Sequence, residues 1–547
     1  MEKRVIAFAG GKILTMNAEK NHAEVVVVQG EHIVDVGDKN ILKSYPEAEI
    51  IDLHGKMLLP AFIDPHNHLS LACFAPQWVK LDGLLDKDAI IGAIREHMQA
   101  HRGPDSNHVI CLNEAIQKYG QAHPEEEWII GFPWEGMETG GGTLTKSDLD
   151  EACPDRPVLL INGSLHKAIV NTEALALSGI DQSFKDMSNG MIIRDDNGEL
   201  TGELLETAMI PALKLALDIN TEEYADIIEA RAKELLTYGI TSVHDPGVTP
   251  AAETAYQYLY SHKRLPVSVL MMPHGRMLFD NQLGSCLDGP VTGTGDEFLR
   301  VGPVKLFADG ATQMTSSFSG KIAGTVHTFG VPRDDFEDMI IEATKRGFRV
   351  CVHSLGNTST EVLIDTFEKA LKHVPDGLEM RPRIDHLFLM SEEQIKRFAA
   401  MGGCAAIQPH YVVRSSMLID VPFEDLKWFA FDIMMKEGMV IASSSDNPCF
   451  GSDYAIEPVK GSVIGATMST DAGKVLVHDD MSYFEQWLWM YTAGAAYVGG
   501  LEKERGMLKE GLVADLVILD GELDVNNPPT VYETWKFGEK VYSRDAK

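Results

Sequence analysis

Little of this 547-residue chain is positively charged: 48 lysines and arginines stand against 81 aspartates and glutamates, a formal net charge of −33. That balance repels phosphate backbones and anionic lipid, which sets aside nucleic-acid and membrane-surface binding. No apolar run reaches the ~18 residues of a membrane-spanning helix. The start, Met1-Glu-Lys-Arg-Val-Ile-Ala-Phe-Ala-Gly-Gly11, has basic residues but too short an apolar stretch for a secretory leader, and reads as a strand. Cysteine is sparse and unpatterned: Cys73, Cys111, Cys153, Cys286, Cys351, Cys404 and Cys449 are odd in number and form no CxxC pair. A disulfide framework or a Cys-type zinc knuckle is therefore not expected, and reduced thiols point to a cytoplasmic location. A phosphate-binding glycine loop is also missing. Gly140-Gly-Gly142 lacks GxGxxG spacing and a Walker lysine, and reads as a flexible turn.

What is present is ordinary for a globular protein, 44% hydrophobic and 24% charged. The length suits roughly two to four domains. Residues 1–56 read as small β-structure, with two apolar runs in Val25–Gly37 split by Gln29-Gly-Glu31, a hairpin pattern. Residues 505–547 have the same character in Leu512–Asp520 and Thr534–Tyr542. Neither end is long enough to bury a core alone, so the two are expected to meet in one composite β-sandwich.

Between them, residues 57–504 repeat one grammar: helix, glycine, short apolar strand, then a polar residue at the strand's C-terminal end. Ser391-Glu-Glu-Gln394 opens one of these helices with a capping-box pattern. Four copies are clear. With the fainter cases the strands are Leu58–His66, Thr241–Asp245, Pro266–Met271, Pro303–Ala308, Arg349–His353, Arg383–His386, Ala405–Gln408 and Val440–Ser444. Eight parallel strands with polar C-terminal ends predict an α/β fold, a (β/α)8 TIM barrel whose active site lies at that face. A doubly wound sheet is the competitor, but it needs a glycine-rich turn where this chain has Pro65-His-Asn-His68. Residues 69–220, after the first strand, are far too long for a loop and are expected to form an inserted subdomain.

The segment Met57-Leu-Leu-Pro-Ala-Phe-Ile-Asp-Pro-His-Asn-His68 runs from a buried strand into two histidines spaced one apart. Residues i and i+2 of a strand share a face, so His66 and His68 aim two imidazoles at one point. Later strand ends add Lys305, His353, His386 and Asp446. Singly, each has an ordinary structural explanation. Together, four imidazoles, a lysine and a carboxylate at one rim suit a divalent metal. Lys305 is the unusual member. An ammonium beside two divalent cations is strongly disfavoured, whereas a neutral amine takes up CO2 to form a carbamate whose oxygens bridge two metals. The alternative leaves Lys305 unmodified in a one-metal site, as an electrophile or hydrogen-bond donor.

This set resembles that of the amidohydrolase superfamily. The phrases around it resemble its amidohydrolase family 3 branch, the N-substituted formamide deformylase-like metal-dependent hydrolases. They are Leu59–His68, Gly239–Gly247, Val304–Gly310, Arg383-Ile-Asp-His386 and Gly506–Val517, with His166–Asn171 and Gly202–Ala208 in the insert. The resemblance implies that His66, His68 and Asp446 hold one zinc-like ion, that His353 and His386 hold a second, and that Lys305 bridges the two. The family's Gly-Ser-Asp-x-Pro appears here as Ser444-Ser-Asp-Asn-Pro448. That lost glycine, like the segment Tyr411–Phe423, bears on pocket shape rather than on chemistry.

The reaction expected is hydrolysis of a non-peptide carbon–nitrogen bond in an amide or formamide-like small molecule. Two metals about 4 Å apart lower the pKa of a bridging water and polarise the substrate carbonyl. Asp446 takes the water's proton and passes it to the departing nitrogen, because an amine leaves only when protonated. His166 is the candidate substrate contact. His244 is expected to lie outside the ligand set, holding its loop through Asp245. One rival is a ring aminohydrolase, a deaminase with a glutamate proton shuttle after the fifth-strand histidine; here Ser354-Leu-Gly-Asn357 follows His353. The other is a non-catalytic scaffold protein, against which all six intact ligand positions count. The oligomeric state is not legible, and a homo-oligomer stays open.

Overall fold

A computed structural model describes residues 4–100, 128–134, 144–186, 190–275, 287, 289–311, 316–333, 336–415, 419–449, 456–470, 472–476 and 483–546. The turn expected at Gly140–Gly142 lies outside these residues, as do Cys111 and Cys286. At the N-terminus, Val5–Leu14 and the valine-rich strand His22–Gln29 pair antiparallel, and His32–Gly37 adds to them. The C-terminal strands Leu516–Asp520, Thr530–Lys536 and Glu539–Ser543 join the same sheet. Leu516–Asp520 pairs antiparallel with Met57–Pro60, which in turn pairs in parallel with Val5–Leu14. Both ends of the chain thus meet in one eight-stranded sheet. Trp535 rests edge-on against Phe8, ring centroids 5.1 Å apart, across two intervening strands. The sheet therefore curls over a core that includes Phe8, Val26, Leu58 and Leu516.

The expected strand Leu58–His66 is in fact two. Met57–Pro60 stays in the end sheet, and Phe62–Asp64 begins a parallel sheet. The switch falls between neighbouring residues: Ala61 N–H still donates to Asp515 O of the end sheet at 2.9 Å, and Phe62 N–H donates to Gly239 O at 2.9 Å. In the parallel sheet Phe62–Asp64, Ile240–Val248, Ser268–Pro273 and Leu299–Val301 lie side by side. A second parallel sheet runs Val304–Phe307, Val350–Ser354, Arg383–His386, Cys404–Ile407 and Val440–Ser443. Each expected strand is represented, and Leu299–Val301 is an addition, set off from Val304–Phe307 by Gly302-Pro303. The sheets touch where His274 bridges Lys305. At their other edges Asp446 N–H donates to His66 O at 2.8 Å, and His68 N–H donates to Asn447 O at 2.9 Å.

The helix–glycine–strand grammar has a backbone cause. Gly239, Gly347, Gly402 and Gly438 follow their helices at φ of 79°, 88°, 75° and 87°, a left-handed turn that glycine adopts without penalty. Each turn drops the chain into a buried strand whose last residues face one rim. Among the described residues the insert carries its own six-stranded sheet between Val79 and Glu206. Its Ile161, Val170 and Leu204 share a core with Phe62 and Val243, which seats the insert over that rim. Among the described residues no helix is long and apolar enough to cross a membrane.

Candidate metal centre

His66, His68 and Asp446 come together as expected, their ligand atoms within 4.8 Å of one another. The hydrogen bonds behind the rings decide what faces inward. His68 Nδ1 lies 2.8 Å from Pro246 O, which can only accept, so Nδ1 carries the proton and Nε2 presents a lone pair. His66 Nδ1 lies 2.7 Å from Asp385 Oδ2, with the same consequence. His386 Nδ1 donates to Gln408 Oε1 at 2.8 Å, an oxygen oriented because Gln408 Nε2 donates to Ser444 Oγ at 2.9 Å. The Nε2 atoms of His66 and His68 stand 3.2 and 3.1 Å from Asp446 Oδ1. Lone pairs and a carboxylate oxygen at that range repel unless a cation lies among them. This donor set therefore fits a divalent metal.

Electrostatics agree. Burial alone would raise the Asp446 carboxyl; positive charge on the His66 and His68 side outweighs it and holds the group well below the usual carboxylate range, and with both Nε2 atoms unprotonated that charge has to come from a cation. Burial pushes His386 down to about 3 and His353 well below its ordinary value, so both rings are neutral, as metal ligands must be. The His386 and His353 rings are 4.5 Å apart, and His386 is 4.9 Å from His66. Lys305 is almost completely buried, and its Nζ has no hydrogen-bond partner among the described residues. His386 and Asp446 also sit at φ of 81° and 51°, uncommon backbone for non-glycine residues and typical of functional sites.

Residues 49–542 match the model of the amidohydrolase family. The chain belongs to the amidohydrolase family. It is 28% identical over 529 residues to the putative amidohydrolase YtcJ of Bacillus subtilis (strain 168), covering 94% of each chain. It is 26% identical over 544 residues to the N-substituted formamide deformylase of Arthrobacter pascens, covering 95% of this chain and 94% of that one. An uncharacterized metal-dependent hydrolase from Pyrococcus horikoshii OT3 shares the fold, with a TM-score of 0.71 at 22% identity over 95% of this chain and 98% of that one.

Around this amidohydrolase centre lie residues to which the sequence assigns no role. Asp385, within Arg383-Ile-Asp-His386, fixes the His66 tautomer; its spacing two residues from Arg383 in one strand is the only signal for it in the chain. Tyr411 donates its hydroxyl to Asp446 Oδ2, and Gln408 orients His386. His166 faces the same cavity, its ring 5.0 Å from that of His353. Its Nδ1 donates to Glu206 Oε2 at 2.7 Å, and Arg333 Nη2 meets the same oxygen at 2.6 Å. The insert therefore reaches the centre. His244 lies beneath it, Nδ1 3.5 Å from Arg383 Nη1, while the neighbouring Asp245 accepts from Ser70 N–H at 3.0 Å and Tyr256 O–H at 2.6 Å.

Proposed function

We propose that this chain is a metal-dependent hydrolase of a carbon–nitrogen bond other than a peptide bond, acting on an amide or formamide-like small molecule. The observation that carries the reading is the convergence of imidazole lone pairs on Asp446 Oδ1. His66, His68 and Asp446 would hold one zinc-like ion, and His353 and His386 a second. Lys305 is read as their carbamate bridge, which explains a buried Nζ without a hydrogen-bond partner among the described residues. A bound divalent cation lowers the pKa of water and polarises a carbonyl. Asp446, held through Oδ2 by Tyr411, takes the proton that water loses on attack and returns it to the leaving nitrogen. His166 contacts the substrate from the insert. We further read the two parallel sheets as halves of one (β/α)8 barrel, with Leu299–Val301 and Val304–Phe307 counted as one interrupted strand, and the end sheet as a β-sandwich. The setting is read as cytoplasmic, since the five described cysteines are buried free thiols.

The test is direct. Zinc-replete protein should carry about two ions per chain and release free amine from a panel of N-acyl amines and formamides. Lys305→Ala should lose at least one ion, and acetate or propionate should partly restore turnover. A zinc-loaded protein that cleaves no member of the panel would sink the hydrolase reading. A Lys305→Ala protein with both ions and full turnover would remove the bridge.

A further inference from the structure

The cavity over the histidines has a volume of 1090 Å³, beyond the roughly 300–1,000 Å³ usual for small-ligand sites. Two apolar walls flank the ligand set, and they belong to different cores. The histidines form a row between them, with the His66 ring 5.2 Å from His68 and 4.9 Å from His386. Past His68, the wall is made by Leu71, Phe74, Leu213, Leu217 and Ile219, all packed with the core of the first parallel sheet. Past His386, it is made by Phe388, Phe318, Phe423 and Trp428, packed with the core of the second.

Both walls are braced. Phe74 lies 5.2 Å from Tyr224, the rings tilted by 45°, and the Tyr224 hydroxyl donates to Ser70 O at 2.8 Å. On the far side Phe318 and Phe423 lie 5.6 and 6.0 Å from Trp428. A Cβ at Gly320 would come within 2.6 Å of both Phe423 and Leu426, so the Phe318–Ile322 strand is pressed onto this wall. Charge on the walls is confined, among the described residues, to exposed Lys214 and Asp218 beside Leu213, Leu217 and Ile219. Among the described lining residues, the charged side chains are those of the metal centre, the His166–Glu206–Arg333 cluster, and the exposed Lys214 and Asp218.

We infer that the substrate carries an uncharged apolar substituent on each side of the scissile bond, one on the acyl carbon and one on the nitrogen. This rests on the hydrolase reading and narrows it. A formyl donor has only hydrogen on its acyl carbon and would leave one wall facing water, which wastes the burial that wall offers.

The experiment uses uncleavable ketones as probes on the zinc-loaded full chain. Dibenzyl ketone offers an apolar group to each wall; benzyl methyl ketone offers one. Titration calorimetry should show dibenzyl ketone binding at least ~10-fold tighter, the effect of burying a second ring. Phe423→Ala and Leu217→Ala should each weaken dibenzyl ketone by about 3–10-fold, while benzyl methyl ketone responds to only one of them. Equal affinity of the two ketones, or binding of neither, overturns the inference whatever the variants do. In turnover, with benzylamine as the fixed amine, a hexanoyl donor should exceed the formyl donor at least ~10-fold in kcat/KM. If formyl is preferred and the ketones bind alike, the two-sided substrate is wrong and the hydrolase reading stands. If the ketones rank as stated and no amide is cleaved, the two-sided pocket stands and the amide hydrolase reading falls.

Discussion

Replacing Asp385 with asparagine changes one oxygen to an NH2 and should disable His66 as a candidate metal ligand, although Asp385 itself lies outside the ligand set. The carboxylate accepts from all sides. Oδ1 takes Arg383 Nε at 2.8 Å and Ala406 N–H at 3.0 Å; Oδ2 takes His66 Nδ1 at 2.7 Å, Arg383 Nη2 at 2.9 Å and Cys351 Sγ at 3.1 Å. Burial alone would raise this carboxyl, but the Arg383 guanidinium and His66 hold it well below the usual range. An amide NH2 cannot face Ala406 N–H, whose proton is permanent. It must take the Oδ2 position, where the partners able to accept are His66 Nδ1 and, much more weakly, the Cys351 sulfur. The imidazole then moves its proton to Nε2, pointing N–H instead of a lone pair at Asp446.

Loss of such an orienting partner is expected to weaken metal binding by about 10–100-fold. Arg383, fully buried, also loses its counter-charge, at about 3–5 kcal/mol, a large part of the ~5–15 kcal/mol of a typical fold. Chelator competition measures the first effect, and thermal unfolding of metal-free protein measures the second. A variant that is less stable but binds zinc as tightly as the parent refutes the tautomer argument.

Asp446→Asn keeps an oxygen for a metal but removes the proposed proton carrier, so turnover should fall by about 10²–10⁴ with most of the metal retained; unchanged turnover would take Asp446 out of the proposed mechanism. At Gly499 an added Cβ would lie 2.4 Å from His244 Cε1, so Gly499→Ala should cost about 1–3 kcal/mol in calorimetry, and an unaltered melting temperature would show that His244 has room. Burial pushes Lys536 down to about 7 from 10.5. The unfolded chain holds this proton up to about 10.5 while the fold releases it near 7, so stability rises with pH between them, and Lys536→Met should flatten that rise and raise the melting temperature at pH 7. Deleting residues 506–547 strips Leu516–Asp520 from Met57–Pro60 and should yield insoluble protein, whereas a soluble, active truncation would show that the ends are independent.

Most of the parallel strands and most of the candidate ligands were legible in the chain, because both are written in short-range physics. Strand alternation puts His66 and His68 on one face by expectation; in the fold the strand stops at Asp64, and the bend after it still brings both rings to Asp446. A helix followed by a glycine that can turn left-handed, then by four or five apolar residues, announces a buried strand whose end meets the rim. Such signals need no knowledge of distant residues. They also misplace a boundary where local pattern is silent: the apolar run through Met57–Asp64 looks continuous, and only its two sets of partners show that it serves two sheets.

The chemistry inside the centre is decided by tertiary structure. His66 and Asp385 are 319 residues apart in sequence, and no periodicity links them; what joins them is the closeness of Phe62–Asp64 and Arg383–His386 at one rim. The same holds for His166, Glu206 and Arg333, drawn from the insert and from a loop beyond Val304–Phe307, and for two apolar walls drawn from separate cores. Residue type and spacing determine which side chains reach the rim. Which nitrogen keeps its lone pair, and what lies on either side of it, depends on the partner that packing brings up behind each ring.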